Sequence, residues 1–400
     1  MQWVLGISLA LLAYVYAGYP LLVWLLARMA GRPVRKGAFA GAGVSVLVAA
    51  HNEADKLNRK LDDLLELSQA EPIREIWFGL DGCTDGTGEI LRERIRNSEF
   101  RIQNVRDANR HPAVHLLEFA TRRGKAATLN DLMAQATQPI FVLMDARQRV
   151  EAGAVTRLLE NFADERVGVV SGELVYETAA GGAQKGAESY WGYEKFIRRN
   201  ESRLWAVPGA TGALYAIRKE LCESIPENTL VDDVLIPMRA VLKGYRCLFE
   251  PAARVFDLPA ARFDQEGRRK RRTLAGIWQL VGLEPRLFCP VANPIWFQWI
   301  SHKFLRLLTP FFVAAALVSL AGLAGGGSPA AQGLFAAGAA AILTSGLAYW
   351  GGQRIRSRAL GVLGAFWGVN WALLQAAGDA ACRRFEVRWS RGAAAPPPAR

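Results

Sequence analysis

Two long tracts without a charged side chain limit what this 400-residue chain can fold into. The first covers residues 2–27 and the second covers residues 307–353. A helix needs about 20 apolar residues to cross a bilayer, so each tract is long enough to span a membrane. A signal peptide is the alternative for the first tract, but the tract is too long and has no basic segment before it. The chain is therefore predicted to be an integral membrane protein.

The arginines that follow the apolar tracts indicate an orientation. Basic residues follow the first tract at 28, 32, 35 and 36, and the second at 354, 356 and 358. Because basic loops stay in the cytoplasm, the chain from residue 28 onward is placed on that side. A glycine-rich break at 325–329 divides the second tract into two spans, and residues 359–378 form a third candidate. The five arginines of the C-terminal tail favour the cytoplasm, whereas four membrane spans would put the tail on the outer side. The side of the membrane on which the tail lies therefore stays open.

These features divide the chain into five predicted segments. They are an N-terminal transmembrane helix (1–27), a cytoplasmic domain (37–266), interfacial amphipathic helices (267–303), about three C-terminal transmembrane helices (304–380) and a basic tail (381–400). The interfacial segment contains Trp278, Trp296 and Trp299, and indole rings commonly settle at a membrane surface. We interpret these tryptophans as interfacial anchors.

Composition excludes several classes of protein. With 51% hydrophobic and 22% charged residues, the chain is too apolar to be disordered and too charged to be wholly embedded in lipid. The net charge of +12 suits nucleic acid, an anionic membrane or a phosphate-bearing substrate, and the apolar spans make nucleic acid the weakest of these. The five cysteines form no C-x-x-C pair, which argues against a disulfide framework or a zinc ribbon.

The cytoplasmic segment alternates between strand and helix patterns. Short apolar runs predict strands at 44–50, 75–80, 115–118 and 140–144, with helices after the first strand and at 125–136. This alternation predicts an α/β fold with a parallel sheet. In such sheets ligands bind at the carboxyl ends of the strands. These ends carry His51, Glu53, Asp81 and Asp145, so we expect a nucleotide's base and ribose to lie there.

Five segments occur in the order and spacing of known motifs. They are A-A-H-N-E at 49–53 for P-x-Y-N-E, L-D-G-C-T-D-G-T at 80–87 for D-D-G-S-x-D-x-T, G-K-A-A-T-L-N at 124–130 for G-K-x-x-A-L-N, G-A-T-G-A-L-Y-A-I-R at 209–218, and D-D at 232–233 for an E-D pair. In this order they resemble the family 2 glycosyltransferases, and within them the membrane-embedded branch that builds bacterial surface polysaccharides. The resemblance covers about residues 40–310. It implies the GT-A fold, a Rossmann-like domain that binds nucleotide sugars.

The resemblance implies that four residues lie near the donor. Asp81 and Glu53 would hold the base and ribose of a UDP-sugar, with His51 in the same loop, and Lys125 would lie near the nucleotide. Glu53 could instead be a first-turn helix residue, favoured there by the helix dipole. Lys125 could instead be an ordinary solvated helix residue.

At the family's D-x-D motif, which supplies carboxylate oxygens to Mg²⁺ or Mn²⁺, the sequence has Asp145 and Arg147. Arginine cannot bind a metal, but it pairs readily with phosphate. Either Asp145 holds the cation alone with phosphates and waters, or Arg147 replaces part of the cation's charge.

An acid pair and a basic run complete the candidate site. By the resemblance, Asp233 is the base that deprotonates the acceptor, and Asp232 supports it. The alternative is a cap for a helix that begins near residue 234. In the basic run at 268–272, Arg272 agrees with the R of the family's Q-x-x-R-W segment, whose arginine meets the diphosphate, and Arg269 replaces its Q. The run could also bind anionic lipid.

The sequence as a whole predicts an inverting, membrane-bound glycosyltransferase in the bacterial inner membrane. It would transfer a sugar from a UDP-sugar to a growing surface polysaccharide or a lipid-linked glycan. Threonine at 273, where processive enzymes have tryptophan, favours the alternative of a single transfer to polyprenyl phosphate or a lipid-linked oligosaccharide. A non-catalytic nucleotide-sugar-binding scaffold is a further alternative. A transporter is disfavoured, because no ionisable residue lies in the middle of a predicted span.

Overall fold

The computed structural model describes residues 1–38, 41, 43–103, 111–177, 182–257, 263–351 and 358–385. The strands are β1 Val44–Ala50, β2 Ile73–Asp81, β3 Ala113–Phe119, β4 Ile140–Leu143, β5 Arg149–Val150, β6 Val167–Tyr176, β7 Tyr215–Arg218 and β8 Arg246–Asp257. Most of the predicted basic tail, including Arg388, Arg391 and Arg400, lies outside the described residues.

Fourteen α-helices lie within the described ranges. They are α1 Gln2–Ala13, α2 Tyr19–Ala30, α3 Ala54–Leu67, α4 Thr87–Gln103, α5 Lys125–Gln135, α6 Ala154–Leu159, α7 Gly182–Leu204, α8 Asp232–Leu242, α9 Phe263–Leu283, α10 Trp296–Gln298, α11 Leu305–Leu307, α12 Thr309–Gly325, α13 Pro329–Gly351 and α14 Arg358–Ala381. Short 3₁₀ turns follow α6, β7 and α9, and π-helical turns follow α1 and α10.

The eight strands form one mixed sheet in the order β3-β2-β1-β4-β7-β6-β8-β5. The first four strands are parallel, as predicted. The prediction of a parallel sheet is wrong for β7 and β5, which run antiparallel to their neighbours, whereas β6 and β8 are again parallel to each other. The apolar pattern could not reveal this, since β7 has four residues and β5 only two.

Strand β1 lies at the centre of the parallel half, and all seven of its residues are buried. One face of the strand, with Val46 and Val48, packs in a cluster with Leu57 and Leu61 of α3. The opposite face packs in a second cluster with residues of α5 and α8. Each fully buried aliphatic side chain contributes about 1.5–3 kcal/mol, so the two clusters hold the strand ends at fixed positions.

Two described helical segments are long and apolar enough to cross a membrane, namely Gln2–Ala30 and Pro329–Trp350. A third crossing is possible if Trp296–Leu307 and Thr309–Gly325, which meet at a 58° bend, form one span. Helix α14 follows and packs along α9 and α13. The predicted segment limits and the multi-pass arrangement stay predictions.

The tryptophans before α12 differ from the prediction of interfacial anchors. Trp299 is fully buried, and its ring meets that of Phe288 edge-on with centroids 5.9 Å apart. The interfacial interpretation is therefore wrong for Trp299, which belongs to the same buried cluster as residues of α5 and α8. Trp296 donates its indole N–H to the Phe288 carbonyl oxygen at 2.9 Å, and Trp278 lies half-buried beside Phe304.

A buried polar network joins the first apolar segment to the domain. The Tyr19 hydroxyl of α2 donates to Glu201 Oε1 of α7 at 2.5 Å. The ring of His302 bridges two carboxylates, with Nδ1 2.9 Å from Glu201 Oε1 and Nε2 2.9 Å from Glu194 Oε1. Arg306 donates to the other oxygen of Glu194 at 2.7 Å. These groups hold α2, α7 and the π-helical turn after α10 in one arrangement.

We expect Glu201→Leu to destabilise the protein by about 3–5 kcal/mol, because it leaves the buried groups of its partners without an acceptor. Glu118→Leu, which removes the exposed partner of Arg92, should cost at most about 1 kcal/mol. Thermal unfolding of both variants in lipid nanodiscs would compare them. Equal effects would show that the network does not hold the helices together.

Candidate active site

The loops after β1 and β2 are tied to each other at the carboxyl edge of the sheet. Asn52 adopts a left-handed backbone conformation with φ of 54°, which asparagine tolerates better than most residues. Its side-chain oxygen accepts a hydrogen bond from the Thr84 backbone N–H at 2.8 Å. Asp85 accepts from the backbone N–H of Ala54, the first residue of α3, at 3.3 Å. The two motif loops therefore form one surface.

Asp81 is fully buried at the end of β2. Its two carboxylate oxygens accept hydrogen bonds from the backbone N–H groups of Arg123 and Gly124, at 2.6 and 2.8 Å. The ring of His51 lies against the Asp81 carbonyl oxygen, with Nδ1 at 2.6 Å. Asp81 thus fixes the start of α5, and with it the position of Lys125.

Glu53 stands at the N-cap position of α3 and forms an ion pair with Lys56 one turn later. This position at the start of a helix agrees with the alternative interpretation of Glu53 as a helix-start residue. Its role toward a donor stays a prediction, as do the donor roles of His51 and Asp81.

Lys125 is the centre of the site. Its Nζ lies 3.0 Å from Asp145 Oδ1 and 3.2 Å from Asp232 Oδ2, and its side chain is only 14% exposed. The alternative of a solvated helix residue is therefore wrong. Although burial opposes its charge, the carboxylates of Asp145 and Asp232 raise the pKa of Lys125. Burial also opposes the charge of Asp145, but Lys125 and Arg147 hold the pKa of that carboxyl below its usual value.

Asp232 and Asp233 are the first two residues of α8, and Val231 takes the N-cap position. The helix thus begins earlier than the capping alternative assumed. Asp233 does not act as a cap, because its Oδ2 accepts a hydrogen bond from the Gly212 backbone N–H at 2.9 Å. Burial and the adjacent Asp232 raise the pKa of Asp233 to about 6. A carboxyl with this pKa is poised to take a proton near neutral pH.

Arg147 pairs with a residue that the sequence analysis did not select. Its guanidinium lies 3.0 Å from Asp257 Oδ2, and Gln148 Nε2 donates to the same oxygen at 3.0 Å. Asp257 ends β8, so it carries the same strand-end signal as Asp81 and Asp145. Lys60 of α3 donates to the Gln148 carbonyl oxygen, and burial lowers the pKa of Lys60 to about 8. The sequence could have indicated Lys60, because it is a lysine on the apolar face of a predicted helix.

The described side chains that could ligate a divalent cation are too few to hold it without oxygen atoms from a bound phosphate. Among the described residues, no three histidine, cysteine, aspartate or glutamate side chains are grouped to hold an ion. Asp145 offers a single carboxylate, of which one oxygen contacts Lys125. Mg²⁺ and similar cations are commonly held by one or two carboxylates together with substrate phosphates and waters. Asp145 therefore fits the prediction of one protein ligand completed by a diphosphate.

Arg269 and Arg272 lie on α9, outside the cluster around Lys125. Arg269 is exposed and Arg272 is half-buried. The Nε atom of Arg272 is buried without a hydrogen-bond partner among the described residues. The intervening Arg271 instead anchors the helix, with two hydrogen bonds of 2.6 and 2.5 Å to Asp379 of α14. The roles of Arg269 and Arg272 stay predictions.

Comparison with known proteins agrees with this architecture. Residues 45–225 match the model described as glycosyl transferase family 2, and residues 140–351 match that described as glycosyl transferase family group 2. A poly-β-1,6-N-acetyl-D-glucosamine synthase of Staphylococcus aureus (strain MSSA476) is 24% identical over 243 residues, 59% of this chain and 52% of the relative. The synthase of Staphylococcus epidermidis is 24% identical over 217 residues, 53% of this chain and 48% of the relative. The chain thus spans about half the length of these curated relatives.

Among solved structures, the fold is similar to a mannosyltransferase from Pyrobaculum calidifontis in complex with GDP-Man and Mn²⁺. The TM-score is 0.69 at 24% sequence identity, over 95% of this chain and 99% of the other. The predicted GT-A fold is confirmed.

We expect Lys125→Met to destabilise the protein by about 3–5 kcal/mol near neutral pH, chiefly because it leaves the buried Asp232 carboxylate without its cation. The pKa of Asp233 should then rise further above its value in the unfolded chain. A carboxyl whose folded pKa is raised contributes stability that is present at low pH and lost as the pH rises through that pKa. The deficit in melting temperature relative to wild type should therefore be larger at about pH 8 than at about pH 5.

Lys56→Met is the control for this prediction, since it removes the exposed partner of Glu53 and should cost at most about 1 kcal/mol. A deficit of Lys125→Met that does not change with pH would contradict the electrostatic explanation.

Proposed function

The chain belongs to the family 2 glycosyltransferases, and on this basis we propose that it transfers a sugar with inversion from a UDP-sugar to a growing surface polysaccharide or a lipid-linked glycan. The observation that carries the proposal is the half-buried Asp233, which is oriented by the Gly212 N–H and has a pKa raised to about 6. The staphylococcal relatives are named as polysaccharide synthases, which supports a glycan acceptor. The apolar helical segments support a location in the membrane, and we propose the bacterial inner membrane with the domain on the cytoplasmic side.

Asp233 would act as the general base. Its free carboxylate oxygen takes the proton from the acceptor hydroxyl while that oxygen attacks the anomeric carbon of the donor sugar. The bond from this carbon to the diphosphate breaks, and UDP leaves on the opposite face, so the configuration is inverted. The hydrogen bond from Gly212 holds the other oxygen of Asp233 and so orients the base. Asp232 keeps Lys125 within reach of this centre.

The donor would lie across the carboxyl edge of the parallel strands. His51 lies against the Asp81 carbonyl oxygen there, and Glu53 follows in the same loop, so we assign these three residues to the base and ribose. The diphosphate would meet the cationic groups Lys125, Arg147 and Arg272. The unsatisfied Nε of Arg272 is consistent with a phosphate partner, since guanidinium groups bind phosphate through several N–H donors. Arg269, one turn earlier and exposed, would contact the departing UDP.

A divalent cation, Mg²⁺ or Mn²⁺, would be held by Asp145 together with the diphosphate. Bound there, it would offset negative charge on the leaving phosphate. Arg147 would supply part of that positive charge from the position where the family has a second aspartate.

Single transfer to polyprenyl phosphate or a lipid-linked oligosaccharide is the second candidate. Thr273 favours single transfer, because threonine has no aromatic ring on which the sugar could stack, whereas processive enzymes have tryptophan at this position. A scaffold that binds nucleotide sugars without turnover is the remaining alternative, and the next experiment distinguishes it.

We expect purified protein in lipid to release UDP from one member of a panel of UDP-sugars, and Asp233→Asn to abolish this release while keeping UDP binding. Since Asp233 must be deprotonated, kcat/KM should rise with pH up to about 6 and then level off. Asp131→Asn, which changes an acid on α5 outside the cluster, is the control and should retain activity. UDP binding without release from any donor, with lipid acceptors supplied, would favour the scaffold, and absence of UDP binding would refute the proposal.

We expect Mn²⁺ to bind tightly only when UDP is present, because Asp145 is the single carboxylate of its site. Electron paramagnetic resonance of free Mn²⁺ would measure this without any turnover. Asp145→Asn should abolish the UDP-dependent binding, whereas Asp131→Asn should not change it. Tight Mn²⁺ binding by wild type without nucleotide would contradict the shared site.

A further inference from the structure

Gln279 of α9 joins this helix to the segment that leads into the acid pair. The side chain is only 5% exposed. Its Oε1 accepts a hydrogen bond from the Leu230 backbone N–H at 3.0 Å, and its Nε2 donates to the Asn228 carbonyl oxygen at 2.8 Å. The chain continues from Leu230 directly into α8, which begins with Asp232 and Asp233. One amide therefore fixes two backbone groups just before the proposed base.

A glycine at position 276 allows α9 to approach this segment closely. A Cβ atom at Gly276 would lie 2.6 Å from Val231 Cγ1, so a larger residue would push the helix away. The C-terminal end of α8 is held as well, since Arg239 Nε donates to Glu284 just beyond α9 at 3.2 Å. Helix α9 and the residues after it thus hold α8 at both ends.

The same helix is fastened to α14. Arg271 forms its two hydrogen bonds with Asp379, and Leu230 packs in a buried cluster with Ala275 of α9 and Ala376 of α14. A continuous series of contacts therefore leads from α14 through α9 to the segment before the acid pair. Gln279 supplies the polar link in this series.

The free-energy cost of burying an amide indicates that the Gln279 side chain stabilises the Asn228–Leu230 segment. Glutamine on the buried face of a helix, beside Ile277 and Leu280, costs free energy unless both ends of its amide are hydrogen-bonded. Here both ends are used on the Asn228–Leu230 backbone. Without them, the buried Leu230 N–H would lose its acceptor, and the start of α8 could shift.

We propose that Gln279 is a positioning residue for Asp233: by fixing the Asn228–Leu230 backbone, it holds the start of α8, and with it the base, at its working distance. The proposal rests on the assignment of Asp233 as the base. A displacement of about 1 Å in a reacting group can cost about 100-fold in rate, so a small shift of α8 would be measurable. Partial burial and the adjacent Asp232 raise the pKa of Asp233, so a shift of α8 that exposes this carboxyl would also move the pH profile.

The test compares Gln279→Met with Asn293→Leu, each of similar size to the residue it replaces. Asn293 is the matched control because it is also a buried amide that bridges two backbone groups, Leu287 O at 2.8 Å and Ile295 N at 3.0 Å. UDP release would give kcat, KM and the acid limb of the pH profile. Hydrogen exchange of residues 228–236, measured on the full-length protein in nanodiscs, would report on the segment without turnover.

For Gln279→Met we expect kcat to fall about 100-fold while the KM of the UDP-sugar changes less than about twofold. The acid limb should move to lower pH, because a hydrated Asp233 returns toward its usual pKa. Hydrogen exchange over residues 228–236 should accelerate. Asn293→Leu should alter neither the acid limb nor this exchange.

The proposal is overturned if both variants lower kcat equally with the acid limb unmoved, or if exchange over residues 228–236 is the same in Gln279→Met and wild type. Wild-type protein that releases no UDP would instead refute the proposed function. The exchange measurement would still decide whether Gln279 holds the segment.

Discussion

The ammonium group of Lys125, placed between Asp145 and Asp232, is the interaction on which the site depends. Without it, the buried Asp232 would lie near the half-buried Asp145 and Asp233 at the end of a hydrophobic sheet, and the three carboxylates would repel one another. Lys125 itself is placed by Asp81, which binds the backbone at the start of α5. The contact therefore joins the ends of β2 and β4 to the beginning of α8.

This arrangement gives neighbouring carboxyl groups different properties. Asp145 contacts Lys125 directly and lies near Arg147, so its pKa falls, whereas the half-buried Asp233 stands next to Asp232 and its pKa rises to about 6. Pairs of acids whose environments separate their pKa values are a common basis for assigning distinct chemical roles. Here the separation supports Asp145 as an anionic ligand and Asp233 as a base.

The charge distribution also accounts for the departure at Arg147. Its pairing with Asp257 joins the end of β4 to the end of β8, across the part of the sheet where strand direction changes. A second aspartate at position 147 would face Asp257 and add repulsion. The arginine thus stabilises the edge of the site and leaves Asp145 as its single carboxylate toward a cation. On the opposite side, α9 holds α8 through Gln279 and Glu284.

The sequence alone predicted the parallel half of the sheet, because a short run such as Val44–Ala50, apolar except for Ser45, is typical of a strand buried on both faces. It also placed Asp81, Asp145 and the 232–233 pair at element ends, since motif spacing is a local property. Tertiary structure decided the antiparallel β7, the burial of Trp299, the pairing of Arg147 with Asp257 and the contact of Gln279 with the segment before α8. These features depend on strand order and helix packing, which bring together residues far apart in the chain, and no local pattern of side chains encodes such distances.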